Sequence, residues 1–94
     1  MNIKHAQYML TVLQEGSITG AAKKLYISQP SLSQMIKLVE SNLGTQIFNR
    51  STDPITLTYA GQKYIEAAKQ ILTINNNLQK EIDEINHEDH GKIR

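Results

Sequence analysis

Residues 27–36 read ISQPSLSQMI, and the fold turns on how this stretch is placed. Ser28 carries the short side-chain oxygen that favours a helix N-cap. With Ser28 as cap, Pro30 falls in the first turn, where its missing N–H would have had no intrahelical partner. The spacing then predicts a helix to about Asn42, with Leu32, Ile36, Val39 and then Leu43 buried and Gly44 ending it. Its other side holds Gln29, Pro30, Ser31, Ser33 and Gln34, a face with little charge and no bulk. Such a face is slim enough to approach another molecule closely.

Upstream, Ile3, Ala6, Leu10 and Leu13 share one helical stripe that runs to Gln14, with Met9 and Val12 beside it. Glu15-Gly16-Ser17 ends that helix, and Ser17 or Thr19 caps a short one over about 18–25. There Ala21, Ala22 and Leu25 point inward while Lys23 and Lys24 point outward, and Tyr26-Ile27 makes a tight turn. Downstream, Ile47 and Phe48 begin an extended run, and Phe48 reads as a core anchor. Ser51-Thr52-Asp53-Pro54 is a turn cluster, and Ile55 to Thr58 alternates with β-branched residues. Together these predict a small two-stranded wing.

A long helix follows from Thr58 or Tyr59. Tyr64, Ala68, Ile71, Asn75, Leu78, Ile82 and Ile85 recur at alternating spacings of four and three, a heptad seam. Its far half has no body to lie against, so the seam is expected to meet the same seam of a second chain. Asn75 would then fix register at some cost in stability. Ile65 and Leu72 form a second stripe that can pack back on the domain, and past Asn86 the sequence reads as a polar linker.

The chain has 94 residues, enough for one small core, and no cysteine to supplement it with disulfides or thiolate metal sites. No apolar run approaches the roughly 20 residues of a membrane span. The N-terminal residues lack the apolar stretch of a signal peptide, which predicts a cytoplasmic location. Up to Tyr64 six basic residues face three acidic ones, a net of +3; from Ile65 onward four face six, a net of −2. A basic front suits an anionic partner, although +3 alone is ordinary for a soluble domain.

Enzymatic chemistry finds no support. There is no phosphate loop, nucleophile elbow or cysteine nucleophile, so catalytic residues and cofactors are expected to be absent. His87 and His90 with Glu88 and Asp89 imitate a metal cluster without its spacing or buried support, and His5 reads as a solvated residue on the exposed side of the first helix. The second and third helices, by contrast, form a helix-turn-helix. Thr19 and Ser28 stand at helix N-termini, where free N–H groups favour a phosphate. Ser31 and Ser33 let the third helix sink into a major groove, Gln29 and Gln34 can reach base edges, and Pro30 offers an apolar edge to a thymine methyl.

At these residues the chain resembles the N-terminal region of the LysR-type transcriptional regulators. The resemblance rests on Ala21-Ala22, Leu25, Ser28-Gln29-Pro30, Ser33, Ile36, Glu40, Leu43-Gly44, Phe48, Arg50, Leu57-Thr58 and Ala60-Gly61. It implies a mainly α fold, a winged helix-turn-helix over residues 1–58 (the helix-turn-helix itself about 18–37). A linker and dimerisation helix over 59–87 would pair subunits antiparallel. Residues 88–94 would lead to a separate effector-binding domain, with HGKIR opening a strand. The implied partners are double-stranded DNA at an interrupted inverted repeat, a second copy of the chain, and a small-molecule effector held only by that further domain.

Carried over by position, Gln29, Pro30, Ser31, Ser33 and Gln34 would read the groove, while Thr19, Ser28, Lys37 and Arg50 would contact phosphates. The family wing is often basic, whereas here it holds Asp53, which leaves wing contacts to Arg50 and Thr52. Glu40 is expected to be a structural partner. The alternatives are a winged-helix regulator of another family, a helical interaction module without DNA binding, and a fragment of a DNA-acting enzyme.

Overall fold

The computed structural model describes the backbone of residues 1–93 and the side chains of residues 1–87. Helix α1 (Ile3–Glu15) begins where the Asn2 side chain accepts from the Lys4 N–H at 2.8 Å. It ends at Gly16, whose φ of 76° lies in the left-handed region that glycine enters without steric cost. Helix α2 (Ile18–Leu25) is capped by Ser17, which accepts from the Gly20 N–H at 3.0 Å. Of the two expected caps, Ser17 takes the role and Thr19 stands one turn position inside, exposed.

Helix α3 (Gln29–Leu43) starts as its sequence dictates: Ser28 accepts from the Ser31 N–H at 3.2 Å, Pro30 sits in the first turn, and Gly44 closes the helix at φ 75°. Strand β1 (Phe48–Asn49) pairs antiparallel with β2 (Thr56–Leu57), Phe48 opposite Leu57 and Asn49 opposite Thr56. The wing is shorter than the alternation of Ile55 to Thr58 predicts, because both ends of that run are engaged elsewhere. The Ile55 N–H bonds the Gly16 carbonyl at 2.8 Å, and Thr58 caps the next helix by accepting from the Gly61 N–H at 2.9 Å.

One core joins these elements. Ala6, Met9 and Val12 of α1 meet Ala21 and Ala22 of α2, Leu32, Ile36 and Val39 of α3, Ile47 and Phe48. Within α1 the deepest stripe is Ala6-Met9-Val12, while Ile3, Leu10 and Leu13, placed at its centre by the sequence reading, are half-buried flanks. Leu43 is also corrected. It is the last residue of α3, past the cover of the core, and remains 52% exposed. It lines a recess of about 400 Å³ with Met1, Asn2, His5, Val39, Asn42 and Tyr64, so His5 is half-buried rather than freely solvated.

Helix α4 (Tyr59–Ile93) has 35 residues, about 52 Å at 1.5 Å per residue, in a molecule 59 Å long. Tyr64, Ile65 and Ala68 lie in the core, so the first two members of the expected seam face this chain's own body. The heptad spacing conceals this because neighbouring stripes of one helix can face two different bodies. Burial pushes the Tyr64 phenol above its usual pKa, and its hydroxyl has no partner among the described residues. Past Asn86 the backbone stays helical to Ile93, where a linker and then a strand were expected. Arg94 and the side chains of Glu88, Asp89 and His90, which with His87 make up the weighed metal cluster, lie outside the described residues.

Candidate nucleic-acid interface

The burial of Leu32, Ile36 and Val39 fixes the rotation of α3 and turns its polar side to solvent. Ser28, Gln29, Pro30, Ser31, Gln34 and Lys37 are all exposed, and Ser33 is half-buried at the edge of the same face. None of the residues expected to read a groove is sealed inside the chain.

Within this face the side chains are partly organised. The Ser28 hydroxyl donates to that of Ser31 at 2.7 Å, besides capping the helix. The Gln29 amide donates to the Ser33 hydroxyl at 2.9 Å, one turn on, so Gln29 lies along the helix. Gln34 and Lys37 make no side-chain hydrogen bond among the described residues and project from the middle of the face. Two neutral hydrogen-bonded pairs near the N-terminus thus precede an unengaged amide and an unengaged ammonium.

Around this face the charges are only partly available. Lys24 pairs with Glu15 at 3.4 Å on the surface, a contact of little energetic weight. Arg50, expected at a phosphate, instead donates its Nη2 to Glu40 at 2.9 Å. Glu40 is 8% exposed and its other oxygen accepts from the Ile47 N–H at 2.7 Å, with the Phe48 N–H at 3.4 Å. Arg50 therefore first ties the start of the wing to α3, and a guanidinium with five donors keeps some of them for a second partner. Glu40 is the structural partner the sequence reading expects.

The wing stands beside the helix-turn-helix. Pro54 approaches Gly16 so closely that a Cβ there would lie 2.9 Å from the proline Cβ, which together with the Ile55 bond pins the wing to the turn between α1 and α2. Thr52 and Asp53 are exposed at its tip. The Thr52 hydroxyl bonds the Asn49 carbonyl at 3.2 Å and lies 2.9 Å from that of Thr56. Asn49 braces the hairpin further, donating to the Thr56 hydroxyl and the Leu57 carbonyl, each at 3.3 Å. In the sequence Asn49 stands out only as the first residue of an Asn-Arg-Ser sequon, and nothing there marks its bracing role. Tyr26 reads there only as part of a turn, yet this tyrosine is 95% exposed two residues before Ser28.

The chain matches the family model of the bacterial regulatory helix-turn-helix proteins, lysR family, over residues 3–62. Among curated proteins it is 38% identical to the HTH-type transcriptional regulator BsdA of Bacillus subtilis (strain 168), covering 99% of this chain and 32% of that one. It is 30% identical to the HTH-type transcriptional regulator MetR of Haemophilus influenzae, covering 100% of this chain and 30% of MetR. The chain thus spans about a third of the length of these relatives. Among solved structures it superposes on the BenM DNA-binding domain in complex with catB site 1 DNA with a TM-score of 0.85 and 33% identity, over 90% of this chain and 91% of that one. The CbnR DNA-binding domain in complex with DNA gives 0.80 and 30%, over 89% and 97%. That family model covers well over half of the sequence, and the chain belongs to the lysR family of bacterial regulatory helix-turn-helix proteins.

Proposed function

We propose that this chain is the duplex-reading part of a transcription regulator, placing α3 in the major groove of DNA and acting as a homodimer through α4. The observation that carries the reading is the two-sidedness of α3. Leu32, Ile36 and Val39 are buried behind it, while Gln29, Pro30, Ser31 and Gln34 stand exposed in front with small side chains between them. A major groove about 12 Å wide admits a helix of that slimness, and glutamine amides match the donor and acceptor pattern of an adenine edge. Thr19 and Ser28, at the starts of α2 and α3, and Lys37 would contact phosphates on either side. Arg50 and Thr52 would extend these contacts from the wing.

Pairing through α4 is supported by its distal half. Leu78, Ile82 and Ile85 are 55, 42 and 53% exposed on a helix that has left its own body, an arrangement water disfavours. Ile71, Asn75, Leu78, Ile82 and Ile85 form the contact seam in this reading, without Tyr64 and Ala68. No described helix is long and apolar enough to cross a membrane. In this reading the protein acts by binding DNA rather than by catalysis, and it works in the compartment that holds the DNA.

A footprint on the intergenic DNA beside its own gene tests both halves of the proposal. Two protected half-sites related by a dyad are expected. A single protected half-site contradicts the dimer, and no protection favours an interaction module instead.

A further inference from the structure

Tyr26 occupies a position that neither the backbone nor the core accounts for. Its φ of 58° makes it the one non-glycine residue of left-handed conformation among the described residues. Two other helices end in the same conformation, and both do so with glycine, at Gly16 and Gly44. There the chain needs only the turn. At the end of α2 it accepts the steric cost of a β-carbon and places a large aromatic ring instead. The capping bonds themselves, Tyr26 N–H to the Lys23 carbonyl at 3.3 Å and Ile27 N–H to the Ala22 carbonyl at 3.1 Å, need no particular side chain.

Nor does the ring find use within the chain. Tyr64 is in the core and Tyr8 packs against it beneath Lys4, while Tyr59, 74% exposed, has the Lys63 ammonium 5.6 Å from its ring centre. Tyr26 is 95% exposed, with no side-chain hydrogen bond among the described residues. Strain held at an exposed side chain marks a site where that side chain meets something else. Tyr26 follows Lys23 and Lys24 in the last turn of α2 and precedes the N-cap of α3 by two residues. It therefore stands at the same end of α3 as the exposed Ser28, Gln29 and Pro30.

We infer that Tyr26 is a DNA-backbone contact, its phenol hydroxyl donating to a phosphate oxygen at the edge of the half-site while its ring lies against the adjoining sugar. The inference rests on the proposed role of α3 and adds a residue that sets how α3 is seated. Contacts of this kind position a protein on the duplex and carry no base information. A neutral donor also releases no counterion, unlike a lysine.

The test compares the wild-type chain with Tyr26→Gly and Tyr26→Phe on the intergenic DNA beside its gene and on random-sequence duplex. Tyr26→Gly should melt at the same temperature or higher, because the strain is relieved, and yet bind both duplexes about tenfold more weakly with an unchanged salt slope. Tyr26→Phe should keep the wild-type melting temperature and show part of the same loss. Wild-type affinity in Tyr26→Gly would overturn the inference, as would a loss confined to one base position or a flattened salt slope. If the wild-type chain bound neither duplex, the reading of α3 itself would fall first.

Discussion

Glu40→Ala is expected to remove about 3 kcal/mol of folding stability, seen as a lower denaturation midpoint, and to loosen the wing before the helices melt. The reason lies in what one buried carboxylate joins. Its two oxygens serve the Ile47 N–H, the Arg50 guanidinium and, at longer range, the Phe48 N–H. Removing it strands a buried backbone donor beside Ile47 and Phe48, both 0% exposed, and frees Arg50. Each unsatisfied buried donor costs about 1–3 kcal/mol, and the half-exposed arginine adds little. Against a total stability of about 5–14 kcal/mol for a chain this size, the loss is large. Glu40→Gln should fall between, since a single amide oxygen can still accept from Ile47 but presents Arg50 with a donor or nothing. A stability within 0.5 kcal/mol of wild type (about the spread of neutral surface changes) in Glu40→Ala would contradict the assigned role.

Gly61→Ala should be comparably damaging, about 3 kcal/mol, for a steric reason. Gly61 is buried in the first turn of α4, and a Cβ there would overlap the Ile47 carbonyl. That carbonyl cannot move aside, because it accepts the Thr58 N–H at 2.9 Å while the Thr58 hydroxyl also bonds the Gly61 N–H at 2.9 Å. The glycine thus permits α4 to lie directly on the chain entering the wing, and a methyl group must pry them apart. Urea unfolding measures the cost. A midpoint unchanged from wild type would mean the contact is looser than described. Because α4 also carries the proposed dimer seam, a displaced start should shift the angle at which it leaves the body and weaken binding to paired half-sites more than to one.

What could be read from the residues alone divides by range. Ser28, Pro30 and Gly44 announced α3 because capping is settled within a few residues, and Leu32, Ile36 and Val39 then fixed which side faced inward. The slim front followed from the same periodicity. The link between Glu40 and Arg50 spans ten positions and a turn, and no local rule joins them, so the structural half of the arginine's role is not legible in the sequence. Tyr64 and Ala68 misled for another reason. They sit in register with Leu78 and Ile82, but the seam passes from the chain's own core to open solvent partway along one helix. Residues 87–93 lack an apolar stripe, so nothing in the sequence extends the helix past the seam, while the backbone stays helical to Ile93. Tyr26 was least legible, since its sequence context carries no glycine or asparagine to signal the left-handed turn.

The claim on which the functional account rests is that the front of α3 reads bases. Gln34 is its most direct probe, being exposed, neutral and unengaged in the described structure. Gln34→Ala should be measured against the footprinted half-site and every single-base variant of it. Discrimination of about 1–3 kcal/mol is expected to disappear at one base pair while affinity for unrelated duplex stays the same. An equal loss on every sequence, or none on any, would contradict it.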